Sequence, residues 1–147
     1  MLTHDQHLLV QHVCEQWAAT HGRATLSILS LLILREHCAW AGDLRSRLSE
    51  VSSGTLDADH QSLNRMLRRL EGLGLIRCAR TSSHGPGASR KHYETTETGE
   101  AALRAHLMHT LAYMRSPVFR RSSAELLAAA APPCVCGNPP SLNGRVH

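Results

Sequence analysis

The sequence predicts a fold that is mainly α with a small β-hairpin. Aromatic residues make up only 3% of the chain, so Leu, Ile, Val, Ala and Met must build the core, a supply that suits helices. Apolar residues recur at helical spacing along most of the sequence. A single Ser, Gly and Pro segment, residues 82–89, separates two short strand-like stretches. The length of 147 residues fits one domain with a modest core.

Two helices are predicted before residue 40. Thr3–Gln6 has capping-box spacing, and the first helix should run from there to a break at His21–Gly22. Its apolar face is Leu9, Val10, Val13, Cys14 and Trp17. The second helix, about 25–37, is apolar on most sides and should lie in the middle of the fold.

Two more helices and a hairpin follow. Leu44, Leu48 and Val51 line a short third helix that stops at residues 52–54. Asp57 or Asp59 can cap the fourth helix, and Gly74 can close it. The core stripe of the fourth helix is Leu63, Met66, Leu67, Leu70 and Leu73. Strands at 75–81 and 90–96 then flank the turn segment.

The C-terminal part should be helical and then irregular. Thr96 or Thr98 can cap a long helix that ends at Ser116–Pro117. Its apolar stripe is Leu103, Leu107, Leu111 and Met114. A short helix at about 123–131 is expected next, and residues 132–147, rich in Pro, Gly and Asn, should be disordered.

This order of elements describes a winged helix-turn-helix with additional N- and C-terminal helices. The predicted divisions are an N-terminal helix for dimerisation (1–22), a DNA-binding winged helix-turn-helix (23–98), C-terminal helices for dimerisation (99–131) and the tail (132–147). Two apolar stripes outside a small core need covering, and a symmetric homodimer would cover both.

Positive charge is concentrated at the fourth helix and the hairpin. Residues 62–92 hold seven of the sixteen Lys and Arg but only one of the twelve acids, Glu71. The rest of the chain has nine bases and eleven acids, so the basicity is local and points to an anionic partner there.

The exposed face of the fourth helix is suited to reading DNA. A step of 100° per residue leaves Gln61, Asn64, Arg65 and Arg68 facing outward, with Arg69 on the flank. The arginines repel one another at these spacings, and DNA phosphates would reverse that penalty. Amide and guanidinium groups also match adenine and guanine edges in the major groove.

Two stretches resemble the PadR-type winged-helix regulators, with the MarR group as their neighbour. They are "SLNRMLRRLEGLGLI" and "GPGASRKHYETTETGEAAL", preceded by the apolar "LSILSLLILREHCAWAGDLRSRL". The resemblance covers about residues 25–105. The family usually has an aromatic and a proline at Asn64 and Arg65, and the MarR wing typically has an Asp that "GASRKHY" lacks, which favours PadR.

The resemblance implies that the fourth helix enters the major groove, that the hairpin is a wing touching DNA, and that terminal helices form a homodimer. Together with the outward face and the arginine that flanks the hairpin, this gives the predicted DNA-binding set: Gln61, Asn64, Arg65, Arg68, Arg69, Arg80, Arg90 and Lys91.

Other functions receive weaker support. No P-loop, G-x-S-x-G or H-E-x-x-H motif is present, so no enzyme and no cofactor is expected. His7 with Cys14, or His106 with His109, could share a helical face, and "CVC" at 134–136 offers two thiols, but no metal site is predicted. Cys14, Cys38 and Cys78 are expected to be small core residues.

The sequence therefore predicts a transcriptional regulator that binds double-stranded DNA, a homodimeric repressor on an inverted-repeat operator. The alternatives are a winged-helix module that binds an acidic protein and a metal- or redox-responsive regulator. A small-molecule effector near Trp17 and Trp40 is possible, with no constellation that defines it. The longest apolar run, Leu26–Leu34, is too short for a membrane span, so a cytoplasmic protein without membrane contact is expected.

Overall fold

The computed structural model describes residues 2–83, 85–86 and 89–129. The helices are α1 (His4–Glu36), α2 (Ala41–Val51), α3 (His60–Gly72), α4 (Glu97–Ala105) and α5 (Pro117–Ala128). The strands are β1 (Ile76–Ser83) and β2 (Ser89–Thr95). A π-helical turn, His106–Thr110, and a 3-10 turn, Ala112–Arg115, lie between α4 and α5. The order of α2, α3 and the hairpin confirms the winged helix-turn-helix with additional terminal helices.

The predicted break at His21–Gly22 is wrong. The structure has one helix of 33 residues, α1, where the sequence suggested two. A glycine inside a helix costs about 1 kcal/mol relative to alanine, a penalty that helix formers on both sides can outweigh. Nothing lies within 4 Å of the position where a Cβ would stand on Gly22, so no packing contact requires a glycine there.

Compact packing divides the described residues into two units, one within 20–110 and the other within 2–19 and 111–129. The first unit contains the hydrophobic core. Leu34, Leu44, Leu48, Leu63, Leu67 and Ile76 are its most completely buried large side chains. Ser30 is also buried there, and its hydroxyl donates to the Leu26 carbonyl over 2.7 Å.

The hairpin is antiparallel and carries one irregularity. Ile76 pairs with Thr95 at its base and Ser83 with Ser89 near its tip, and the register shifts between Cys78 and Arg80. Outside the two strands, Ala39 forms a single antiparallel bridge with Tyr93 through two backbone hydrogen bonds of 3.1 and 2.8 Å. The residue that follows, Trp40, is thereby placed at the edge of the wing.

Small residues dock α4 onto the base of the hairpin. Thr96 caps α4 by accepting from the Gly99 backbone N–H over 3.1 Å, and its hydroxyl donates to the Gly74 carbonyl over 2.6 Å. A Cβ on Gly99 would collide with the Leu75 carbonyl oxygen and would lie 2.8 Å from Thr95 Cγ2. Only a glycine fits this approach without movement of the neighbours.

Several details of the helical stripes differ from the sequence-based expectation. Val51 and Leu73 are 59% and 60% exposed, since each stands at the end of its helix where the chain turns away from the core. Cys14 and Cys78 are half-buried and Cys38 is exposed, so none of the three is a core residue.

The C-terminal helices also differ from the prediction. Regular α4 ends at Ala105, and of the predicted long stripe only Leu103 lies in the core. Ser116 ends the preceding 3-10 turn, as expected of the Ser116–Pro117 terminator, and it also starts α5, because its hydroxyl accepts from the Phe119 backbone N–H over 3.1 Å. Proline is well tolerated at the first helical position. The tail at 132–147, including Cys134 and Cys136, lies outside the described residues.

Candidate nucleic-acid interface

The start of α3 is fixed by Asp59. Its carboxylate accepts from the Ser62 backbone N–H over 2.7 Å and from the Ser62 hydroxyl over 3.1 Å. These two hydrogen bonds stabilise the ionised form and hold the pKa of Asp59 below its ordinary value. The other candidate cap, Asp57, pairs with Arg45 at 3.1 Å. The cap places Gln61 in the first turn of α3.

The end of α3 is fixed by Gly74, as predicted. Gly74 has φ +73°, and its N–H donates to the Glu71 carbonyl while the Leu75 N–H donates to the Leu70 carbonyl, both over 2.9 Å. This pattern is a Schellman motif, which satisfies the last helical carbonyls and turns the chain into β1. The direction in which the chain leaves α3 and enters the hairpin is therefore set locally.

The polar face of α3 is exposed as predicted. Leu63, Met66, Leu67 and Leu70 are buried, which leaves the opposite face in solvent. The exposed side chains of that face are Gln61, Asn64, Arg65, Arg68 and Arg69. Arg65 donates to Gln61 Oε1 over 3.3 Å, whereas neither Arg68 nor Arg69 forms an ion pair with any part of the chain described. Their positive charge is uncompensated by a direct partner.

The predicted wing residues reach back toward the body of the domain. The Arg90 guanidinium lies over the Trp40 ring, 4.0 Å from its centroid, a cation–π contact. Lys91 Nζ lies 3.9 Å from Glu71 Oε1 in the last turn of α3. Arg80 is exposed and opposite His92 in the register. Arg90 and Lys91 thus lie at the junction with α3, whereas Arg80 does not line it.

A cleft of about 350 Å³ forms at this junction. It brings together two α3 residues of the predicted set, Asn64 and Arg68, and two from the wing, Arg90 and Lys91. Gln61, Arg65, Arg69 and Arg80 do not line it. Five further residues that sequence reasoning left out of the site line the cleft, and the largest or charged ones among them are Trp40, Glu71 and Tyr93; the other two are Ala41 and Ser89.

Signals for two of these residues existed in the sequence. Glu71 is the only acid in the basic segment, and Tyr93 lies in the same short stretch as Arg90 and Lys91. No sequence signal placed Trp40 at this site, because its position beside the wing depends on the Ala39–Tyr93 bridge. A Cβ on Gly42 would collide with the Trp40 ring, so the glycine makes room for that ring.

The cleft also changes the acidity of Tyr93. Burial disfavours its phenolate, and the nearby Glu71 carboxylate disfavours it further, so the pKa of Tyr93 is raised above its ordinary value of 10.0. Arg68 acts in the opposite direction. The charges of Glu71 and Arg68 therefore both reach the interior of the cleft.

The described residues contain neither a metal-binding cluster nor a helix that could cross a membrane. Among residues 2–83, 85–86 and 89–129, no three His, Cys, Asp or Glu side chains gather in a way that could hold a metal ion. In the same part of the chain, no helix combines the length and apolar character that crossing a bilayer requires.

A helix-turn-helix, a hairpin wing and a basic face between them define the winged-helix class of nucleic-acid-binding proteins. Residues 28–105, more than half of the chain, match the model of the PadR-like family of transcriptional regulators. The chain belongs to that family.

Solved structures show the same fold. A PadR-family regulator from Eggerthella lenta is 24% identical, with a TM-score of 0.57 over 84% of this chain and 99% of that one. A PadR-like transcription factor from Bacteroides fragilis is 20% identical, with a TM-score of 0.53 over 76% and 96%. Bacillus subtilis PadR in complex with operator DNA is 21% identical, with a TM-score of 0.52 over 73% and 61%. Curated protein sequences contain no match.

Proposed function

We propose that this PadR-like regulator is a homodimeric repressor that binds an inverted-repeat operator in double-stranded DNA. The observation that carries the proposal is that Arg68, on the exposed face of α3 and without an ion-pair partner in the described chain, lines one cleft with Arg90 and Lys91 of the wing. Guanidinium and amide groups on the exposed face of a helix are suited to base edges in the major groove. A related fold crystallised with operator DNA supports the same use.

The proposed roles divide the predicted set of residues. Arg65 and Arg68 face outward from α3, where a guanidinium can bond a guanine edge with two hydrogen bonds. Gln61 and Asn64 can contact bases, and Arg69 and Arg80 can contact phosphates from the flanks. Arg90 and Lys91 neutralise phosphates at the wing. A regulator that binds operator DNA must share a compartment with the chromosome, and a cytoplasmic location would meet that requirement.

Dimerisation is proposed through the terminal helices. Trp17 in α1 is 70% exposed, and Leu126 and Leu127 in α5 are 75% and 77% exposed. Large apolar side chains at this exposure are costly to leave in water when several lie on one surface. A symmetric partner would cover them and would place two recognition helices on a two-fold operator. An effector near Trp17 and Trp40 stays a prediction.

The test is fluorescence anisotropy with two labelled duplexes over a salt series. One duplex is selected from a randomised pool with the wild-type protein, and the other is a scrambled version of it. Arg68→Ala is expected to lose about 1–3 kcal/mol of discrimination between the two. Lys91→Ala is expected to weaken both and to make the log–log salt slope shallower by about 0.9, the contribution of one phosphate.

Two outcomes would contradict the proposal. If Arg68→Ala left both affinities unchanged, α3 would not be the recognition helix. If selection with the wild-type protein enriched no sequence and the protein did not bind duplexes of the starting pool, the basic face would be better explained by an acidic protein partner.

A further inference from the structure

Glu71 is an unexpected residue in a cleft lined by three cations, Arg68, Arg90 and Lys91. It is the only acid within residues 62–92, and it lines the cleft together with Asn64 and Arg68. Its side chain is 34% exposed, so solvent and an approaching phosphate can both reach it. A carboxylate at this place weakens the binding of any polyanion, and its presence calls for a role.

The contact with Lys91 suggests that role. The distance of 3.9 Å between Lys91 Nζ and Glu71 Oε1 is that of an ion pair without a close hydrogen bond. The Lys91 side chain is 56% exposed, and its flexible stem can swing toward DNA. Glu71 offers Lys91 the kind of negatively charged oxygen that a phosphate would offer.

We propose that Glu71 is an internal competitor for DNA: its carboxylate occupies the place of a phosphate against Lys91, and DNA must displace it. The inference rests on the proposed DNA-binding function. Because the competition concerns a phosphate contact, it lowers the affinity for every sequence by a similar factor. The contact between the wing and DNA is thereby weakened, and discrimination between DNA sequences depends on the exposed face of α3.

A neighbouring ion pair supplies a matched control. Glu94 is 32% exposed, nearly the same as Glu71, and pairs with Arg77 at 2.6 Å. Glu94 and Arg77 do not line the cleft. Glu71→Gln and Glu94→Gln therefore remove the same charge from side chains of similar exposure, and only the first one releases a cleft cation.

The experiment measures the affinity of four full-length variants for the scrambled and selected duplexes: Glu71→Gln, Glu94→Gln, Lys91→Ala and the double variant Glu71→Gln with Lys91→Ala. Glu71→Gln should raise both affinities about two- to five-fold, the range that an exposed ion pair spans. The gain should shrink as salt rises, because exposed pairs are screened. In the Lys91→Ala background the gain should disappear, and Glu94→Gln should give none.

Other results would overturn the inference. An equal gain with and without Lys91 would mean that Glu71 repels DNA directly. Weaker DNA binding by Glu71→Gln, with an unchanged thermal unfolding curve, would mean that Glu71 supports the DNA-bound conformation. An unchanged DNA affinity would mean that Glu71 does not restrain Lys91. Failure of the wild-type protein to enrich or bind any duplex of the pool would instead refute the proposed function, so the two failures are distinguishable.

Discussion

The two units of the chain treat their apolar side chains in opposite ways. In residues 20–110, Leu44 and Leu63 are fully buried, and the core is complete within one chain. In residues 1–19 and 111–129, Leu9, Trp17 and Leu126 are 61%, 70% and 75% exposed. Both regions show apolar stripes at helical spacing in the sequence. A stripe therefore predicts a face that needs covering, and does not say whether the same chain covers it.

The largest effect is expected from a truncation in the core. Leu63→Ala should lower the free energy of unfolding by about 2–5 kcal/mol, because it removes buried methyl groups and leaves a cavity in a packed interior. Leu73→Ala at the end of the same helix, where Leu73 is 60% exposed, should change it by less than about 0.5 kcal/mol. Urea denaturation followed by circular dichroism measures both. Similar losses of unfolding free energy for the two variants would show that the exposure of a leucine in the single chain does not determine the cost of truncating it.

A second effect tests the exposed stripe of α1. Trp17→Gln should weaken homodimerisation at least about ten-fold, equivalent to 1.4 kcal/mol, because the dimer would lose a large buried apolar side chain. Sedimentation equilibrium over a concentration series gives the dissociation constant. The matched control is Gln16→Ala, on the same helix. A wild-type protein that stays a 16.1 kDa monomer at micromolar concentration would contradict the dimer proposal.

A third, smaller effect is expected at Gly22. Gly22→Ala should raise the free energy of unfolding by about 0.4–1 kcal/mol, since the helical backbone accepts alanine and the unfolded chain loses freedom. No atom lies within 4 Å of the new methyl position. Gly99→Ala is the contrasting control and should destabilise, because its Cβ would collide with the Leu75 carbonyl. A destabilising Gly22→Ala, measured by thermal unfolding, would indicate that the residue works as a hinge.

The last prediction concerns the pH dependence of the core unit. Tyr93 has a folded-state pKa above 10.0, so the unfolded chain loses this proton first as pH rises. The contribution of Tyr93 to stability should be full below pH 10.0 and decline from there up to the folded-state pKa. Ultraviolet titration in a Tyr113→Phe background isolates the phenol. Glu71→Gln should move the pKa of Tyr93 downward, and no movement would show that the carboxylate does not act on the cleft.

Much of the winged domain follows from local sequence signals. The Gly74 terminator, four of the five predicted core residues of α3 and a cap at one of two aspartates, Asp57 or Asp59, could be predicted because each depends on neighbours within a few positions. The exposed face of α3 follows from the same spacing. The break at Gly22 failed for the opposite reason, since one glycine is a weak signal that its helical neighbours override.

The tertiary structure decided the geometry of the candidate site. Sequence alone determined the charge of residues 62–92 and the residues that α3 presents to solvent, because charge is additive and helical spacing is local. It could not show that Arg90 stacks on Trp40 or that Lys91 meets Glu71. The first contact joins residues 50 positions apart and the second joins residues 20 positions apart. Both exist only because the Ala39–Tyr93 bridge and the Gly74 turn bring distant segments together. Long-range approach depends on the packing of the whole core, which no local pattern encodes.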